Sequence, residues 1–374
     1  NGGSGCSSKD VSYGLNYGEL CTPVKSGYDF MGWYTSLNGG VKVNANTKVT
    51  TKTNHTLYAH WKSTLESICT GKTLANCLKD NYEFAGLTKI EQAATGNQNY
   101  ATTEYRYQGK NPNNYITFNG ETGVWRIIGV FEVETPNGSG YTKEYKLKLV
   151  RDSIGNVTWD YKTSWGYTND WTASTLMTML NNGPYYNRTS GYTQLACSTG
   201  YDTTTSETAI CNYESNGLTS AAKKQISSTK WYLGNVDYDR NVKEIYIQER
   251  STSVTDENKQ TWDGEVALIY PSDYMYASSA CYNDDTKKGY DSDLNKSIKN
   301  ETCTSTNWLF SYSYWTLSPG SGRPDYVIYI HSFGDAGNIF PYWSSIGVRS
   351  SVYLDPSVSY VSGDGTTDNP FVIN

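Results

Sequence analysis

Long apolar runs are missing from this 374-residue chain: no stretch of about 20 apolar residues occurs, which excludes a membrane-spanning helix. An excess of basic residues is missing too. Lys and Arg number 31 against 37 Asp and Glu, a net charge of −6, so there is no general positive field to draw a phosphate backbone. Nucleic acid is therefore not an expected partner. Charged residues make up only 18% of the chain, below the roughly 25% usual in globular proteins. Histidine is limited to His55, His60 and His331, and no CxxC pair occurs, so no zinc ribbon is expected. There is no GxSxG elbow, phosphate loop or dinucleotide fingerprint, and the reading is of a protein that is not an enzyme. The chain has no initiator Met; its start, Asn1-Gly2-Gly3-Ser4-Gly5, reads as that of a mature or excised fragment.

The missing charge is replaced by Tyr, Asn, Ser, Thr and Gly. Tyr alone supplies 34 residues, so the cores must lean on aromatics. Eight cysteines stand at 6, 21, 69, 77, 197, 211, 281 and 303. Eight admit on the order of a hundred pairings, and the favoured one joins neighbours in order: Cys6 with Cys21, Cys69 with Cys77, Cys197 with Cys211, and Cys281 with Cys303. Such bonds persist in oxidising compartments, so an extracellular or cell-surface location is expected.

Along the chain, residues 1–10 form an N-terminal arm and 11–61 a compact unit of short β runs: Val11-Ser12-Tyr13, residues 27–34, Lys48-Val49-Thr50-Thr51 and residues 56–61. In the last run Leu57, Ala59 and Trp61 share one face, while Tyr58 and His60 take the other. Asn38-Gly39-Gly40 is a turn of residues that accept positive φ. Residues 62–99 read as a helical connector, from three- and four-residue spacings of Leu65, Ile68, Cys69, Leu74, Cys77 and Leu78. Residues 100–374 form a larger unit. Strands are expected at 105–107, 115–118, 124–131 and 145–152, with a hairpin turn at Pro136-Asn137-Gly138-Ser139-Gly140. Helices are expected at 172–181, ended by Asn182-Gly183-Pro184, and at 220–229. Short strands at 314–321, 326–330, 334–339 and 347–354 imply an antiparallel sheet near the C-terminus. The fold class is mainly β with minor α (α+β).

Two resemblances attach to these residues. The order Tyr17-Gly18, Pro23, Gly27-Tyr28-Asp29-Phe30-Met31-Gly32-Trp33-Tyr34, Gly39-Gly40 and Leu57-Tyr58-Ala59-His60-Trp61 resembles the internalin B-repeat, also called the Listeria–Bacteroides repeat. That family implies a small β-grasp-like module of surface and secreted bacterial proteins, often in tandem as a stalk, with no catalytic residues. Cys21 departs from it. Farther on, Trp125-Arg126-Ile127-Ile128-Gly129, Asn169-Asp170-Trp171, Leu180-Asn181, residues 269–274, Trp315-Thr316-Leu317-Ser318-Pro319 and Gly347-Val348-Arg349 resemble an uncharacterised bacterial surface domain. That domain is similar to the C-type-lectin-like fold of formylglycine-generating enzymes and of the variable proteins of diversity-generating retroelements. Ser350 stands where it commonly has Pro.

Formylglycine-generating relatives use a reactive cysteine pair with copper, but the even cysteine set here reads as structural. A serine triad through His331 has no supporting elbow. Calcium is the one cofactor considered: Asp284, Asp285, Asp291 and Asp293 place several hard oxygen donors in one loop, without EF-hand spacing. Aromatics alternating with polar residues through Arg323-Pro324-Asp325-Tyr326 and Phe340-Pro341-Tyr342-Trp343 have the composition of recognition surfaces. The expected ligand-binding residues are Tyr326, His331, Phe340, Tyr342 and Trp343, on one surface near the loop between Cys281 and Cys303. Two functions fit: a surface adhesin whose repeat is a spacer and whose C-terminal domain binds a glycan or protein on a host or neighbouring cell, or the subunit of an extracellular filament that binds copies of itself.

Overall fold

A computed structural model describes residues 2–118, 120–161, 167–192, 197, 210–252, 258–322 and 324–374. The chain divides into two compact units, Asn1–Thr70 and Gly71–Asn374, and strand outweighs helix at 32% against 15%.

In the first unit the aromatic run Tyr28–Tyr34 is the central strand of three. It pairs antiparallel with Lys42–Val43 on one side and Tyr58–Ser63 on the other, with Trp33 opposite both Val43 and Ala59. Phe30 packs its ring against Trp33 and Trp61 at 5.6 and 5.5 Å. Tyr17, Val43 and Val49 form a small buried cluster with Val11, Leu20, Trp33 and Leu57 packed on it. The runs expected as strands at 11–13 and 48–51 form no ladder. Single backbone bonds anchor the second of them instead, Val49 N to Leu15 O at 2.8 Å and Gly14 N to Val49 O at 2.9 Å, and Val49 is buried with Tyr17 and Val43. Gly39 and Gly40 take φ of 69° and 83°, the turn their sequence calls for. The N-terminal segment is tied down by Cys6–Cys21 and by a bridge between Ser4 and Val24. His60 stacks on Tyr34 at 3.9 Å and bonds Ser36 O through Nε2.

The second unit is built on nine strands. Their order is Val266–Leu268, Ser350–Tyr353, Gly140–Arg151, Trp125–Asn137, Tyr115–Thr117, Phe371–Ile373 and Tyr360–Ser362. Leu87–Gln92 joins through Thr102–Tyr107, which pairs with Trp125–Asn137. All pairings are antiparallel except Phe371–Ile373 with Tyr115–Thr117. The spine is the long hairpin 125–151, whose turn has Gly138 at φ 62°. A separate antiparallel sheet joins Tyr314–Pro319, Val327–Ile330 and Ala336–Ile339. Its hairpin, Val327–Ile339, holds His331 and is flanked by the other expected binding residues, Tyr326 before it and Phe340, Tyr342 and Trp343 after it.

Helices are short. Leu65–Cys69 and Leu74–Asp80 match the three- and four-residue spacing, but Leu87–Gln92, within the stretch read as a connector, is a strand of the large sheet. Thr175–Asn181 buries Leu176, Met179 and Leu180 as patterned. It starts three residues late because Asp170 first caps a tight turn at Trp171–Ala173, and Ser174 then caps the helix by accepting from Met177 N. The helix expected at 220–229 ends at Lys223, since Thr229–Tyr232, rich in strand-forming side chains, pairs with Thr261–Gly264. Trp125, Trp159, Trp171, Trp231 and Trp315 are all fully buried, the aromatic core that the composition required.

Candidate functional site

The register of the hairpin Val327–Ile339 sets Val327 opposite Ile339, so the residues just outside them, Tyr326 and Phe340, face each other. Their rings lie 4.7 Å apart, and Phe340 stacks on Tyr342 at 5.2 Å with planes 15° apart. Tyr167 closes the cluster, at 4.8 Å from Tyr342 and 6.1 Å from Phe340. All four rings are half-buried, as is Trp343, whose N–H donates to Phe340 O at 3.2 Å. The backbone beneath is fixed from outside the hairpin: Pro341 O accepts from Trp159 N and Asp160 N at 2.8 and 3.0 Å, and Asn169 Nδ2 donates to Tyr326 O at 3.1 Å.

His331 is not part of this cluster. It sits in the turn at the other end of the hairpin, a strand length or about 13 Å away, where its ring stacks on Phe333 at 4.3 Å. Phe333 is 71% exposed. The loop between Cys281 and Cys303 also meets the hairpin at that end, through Gly289 O with Ala336 N at 2.8 Å and Lys299 with Asp335 at 3.4 Å. The expected five residues thus divide into two places, and Tyr167 joins the larger one. Arg323, part of the expected motif, lies outside the described residues.

The four carboxylates considered for calcium each have a lysine. Asp284 faces Lys287 at 3.7 Å, Asp285 Lys243 at 2.9 Å, Asp291 Lys288 at 3.4 Å and Asp293 Lys296 at 3.8 Å. Asp284, Asp291 and Asp293 also accept backbone N–H groups two residues on. Hydrogen bonds from Thr286 hold the Asp284 carboxyl below its ordinary value, and the Asp293 N–H does the same for Asp291. Among the described residues, no group of three or more His, Cys, Asp or Glu is placed to hold a metal ion. Cys197–Cys211 and Cys281–Cys303 are bonded, Cys69 and Cys77 are in disulfide form, and no cysteine is free.

Sequence reasoning missed a buried ionic network in the second unit. Asp273 accepts from Arg106 Nη1 on Oδ1 at 2.8 Å and from Lys148 Nζ on Oδ2 at 2.6 Å. Arg106 Nε donates to Glu104 at 2.8 Å, and Arg250 pairs with Glu249 at 2.9 Å. Burial alone would raise the Asp273 carboxyl, but Lys148 and Arg106 outweigh it and hold it at about 2. Burial pushes Glu249 up to about 7 against the pull of Arg250 and Ser272. The arrangement fastens the helices Val242–Glu249 and Pro271–Tyr276 to the sheet, with Arg106 Nη2 buried and without a hydrogen-bond partner among the described residues.

Residues 1–60 match the model of the Listeria-Bacteroides repeat domain, a span that takes in the N-terminal arm as well as the module. No curated protein and no solved structure matches the chain. No helix among the described residues is long and apolar enough to cross a membrane. The N-terminal unit carries a Listeria-Bacteroides repeat, and the repeat together with the disulfides fits an extracellular bacterial surface protein.

Proposed function

We propose that the protein is a non-enzymatic adhesin of the bacterial surface, with the repeat as spacer and the larger unit, read as C-type-lectin-like, as the binding head. Its ligand is a glycan or protein displayed on a host or neighbouring cell. The observation that carries this reading is the cluster of Tyr167, Tyr326, Phe340 and Tyr342, four half-buried rings in mutual contact at the open end of a braced hairpin. Rigid aromatic area with few rotamers to freeze is what small recognition surfaces use as anchors, and such rings also stack on sugar faces.

The test is Tyr342→Ala combined with Trp343→Ala, with attachment to a glycan array and to bacterial and host cell surfaces read beside thermal unfolding. The expected result is loss of attachment with the unfolding transition retained. Loss of the transition would make these rings core, and normal attachment by the folded variant would move the binding surface elsewhere.

A further inference from the structure

Most buried guanidiniums in this protein have a carboxylate. Arg106 has Glu104 and Asp273, Arg250 has Glu249, and Arg151 has Glu121 at 3.6 Å. Arg126 and Arg349 do not: neither forms an ion pair among the described residues. Arg126 pairs across the sheet with Val150, and Val150 with Ser351, so Arg126 and Arg349, two residues before Ser351, lie on one face of the sheet. The segment Trp308-Leu309 brings them together. The Arg126 guanidinium is sandwiched between the rings of Trp308 and Tyr115, 4.4 Å from each, and Arg349 Nη1 donates to Leu309 O at 3.3 Å.

Neutral acceptors occupy only part of the two forks. Arg126 Nε donates to Asn114 Oδ1 at 2.8 Å and Nη2 makes a long bond to Pro112 O at 3.4 Å, while Nη1 has no hydrogen bond to any described residue. Arg349 Nε donates to Arg151 O at 3.2 Å. Arg349 is 5% exposed, whereas Arg126 is half-buried. Burial and the Arg349 charge together hold Arg126 at about 10, against the pull of Tyr115 and of Asp152. Asp152 is exposed. Two like charges partly taken out of water with no carboxylate in ion-pair contact are costly, and a bound anion lowers that cost.

We propose that Arg126 and Arg349, gathered at Trp308-Leu309, are a binding site for an oxyanion, the carboxylate or phosphate group of a ligand. A planar fork recognises either group through two parallel N–H bonds. The flanking rings of Tyr115 and Trp308 keep the Arg126 guanidinium in plane and preorganised, so little side-chain freedom is lost on binding. The site shares no residue with the Tyr326–Phe340 cluster and stands whether or not that cluster binds anything.

The test uses the full chain at constant pH and ionic strength. Titration with inorganic phosphate and with sodium glucuronate, against sodium chloride and glucose as controls, is followed by calorimetry and by the thermal midpoint. Stabilisation and saturable binding are expected with at least one of the two; phosphate alone assigns a phosphate-bearing ligand, and glucuronate an acidic sugar. Arg126→Gln should weaken that binding at least about tenfold. Asp152→Asn, at an exposed position, should strengthen it by removing a negative charge that acts on Arg126. The proposal is overturned if wild type responds to neither anion beyond chloride, if Arg126→Gln binds as wild type does, or if Asp152→Asn leaves affinity unchanged or lower.

Discussion

Asp273 is the residue on which two cations depend. Both of its oxygens are taken, by Arg106 and by Lys148, and all three side chains are 1% exposed. Asp273→Asn leaves those cations buried beside a neutral amide, and a loss of about 3–5 kcal/mol is expected from urea unfolding at neutral pH. The carboxyl sits at about 2 in the fold against an ordinary 3.8, so its stabilisation is complete above about pH 4 and lost as pH falls through 2. That part of the acid limb should be absent in the variant. Glu249 works in the opposite sense. Raised from 4.5 to about 7, it favours the fold fully below pH 4.5, and that contribution disappears as pH rises through 7. Glu249→Gln should therefore flatten the stability profile between those two values, measured by denaturant midpoints across the range. None of this was visible in the sequence. Arg106 stands between two tyrosines in a strand pattern that turns charges outward, and its partner Asp273 is 167 positions away, across a sheet face that only the packed helices reveal.

Among the elements, the strand Trp125–Asn137 has neighbours on both sides and a glycine where they crowd most. A Cβ on Gly129 would lie 2.2 Å from Tyr105 O, on the strand that pairs with it. Gly129→Ala is expected to cost about 1–3 kcal/mol and to speed hydrogen exchange in Thr102–Tyr107, because the backbone itself must move. Strands such as this one were legible because their aromatic and β-branched runs are dense. The helix Val242–Glu249 was not, although Asn241 and Glu244 form a capping box and Val242, Ile245 and Tyr246 recur at helical spacing. Its next inward position is Glu249, and a charge at a core position conceals a short helical face. Tyr326 and Phe340 could be paired from the hairpin pattern alone, while Tyr167 could not, since only tertiary packing brings it there. His331 was misplaced by one strand length, for alternation records which face a residue takes and not which end of the hairpin it occupies.

At the scale of the whole chain, the two units should part under mild proteolysis. After reduction, cleavage within residues 62–82 is expected to release a C-terminal fragment that unfolds cooperatively, because each unit has its own aromatic core. Failure of that fragment to fold would mean that the larger unit needs the repeat. Peptide mapping without reductant should recover Cys6–Cys21, Cys197–Cys211 and Cys281–Cys303, with Cys69 and Cys77 making the fourth pair and no thiol left to alkylate. The separations in the three mapped bonds are 15, 14 and 22 residues, and no loop encloses or overlaps another. A chain that crosses a membrane N-terminus first therefore presents its cysteines to an oxidant in native couples. Each loop is complete before the next thiol emerges, and the nearest available partner is always the native one. A simple thiol oxidase is then expected to suffice without an isomerase, and oxidation of the reduced chain as it emerges should give the native pairs directly.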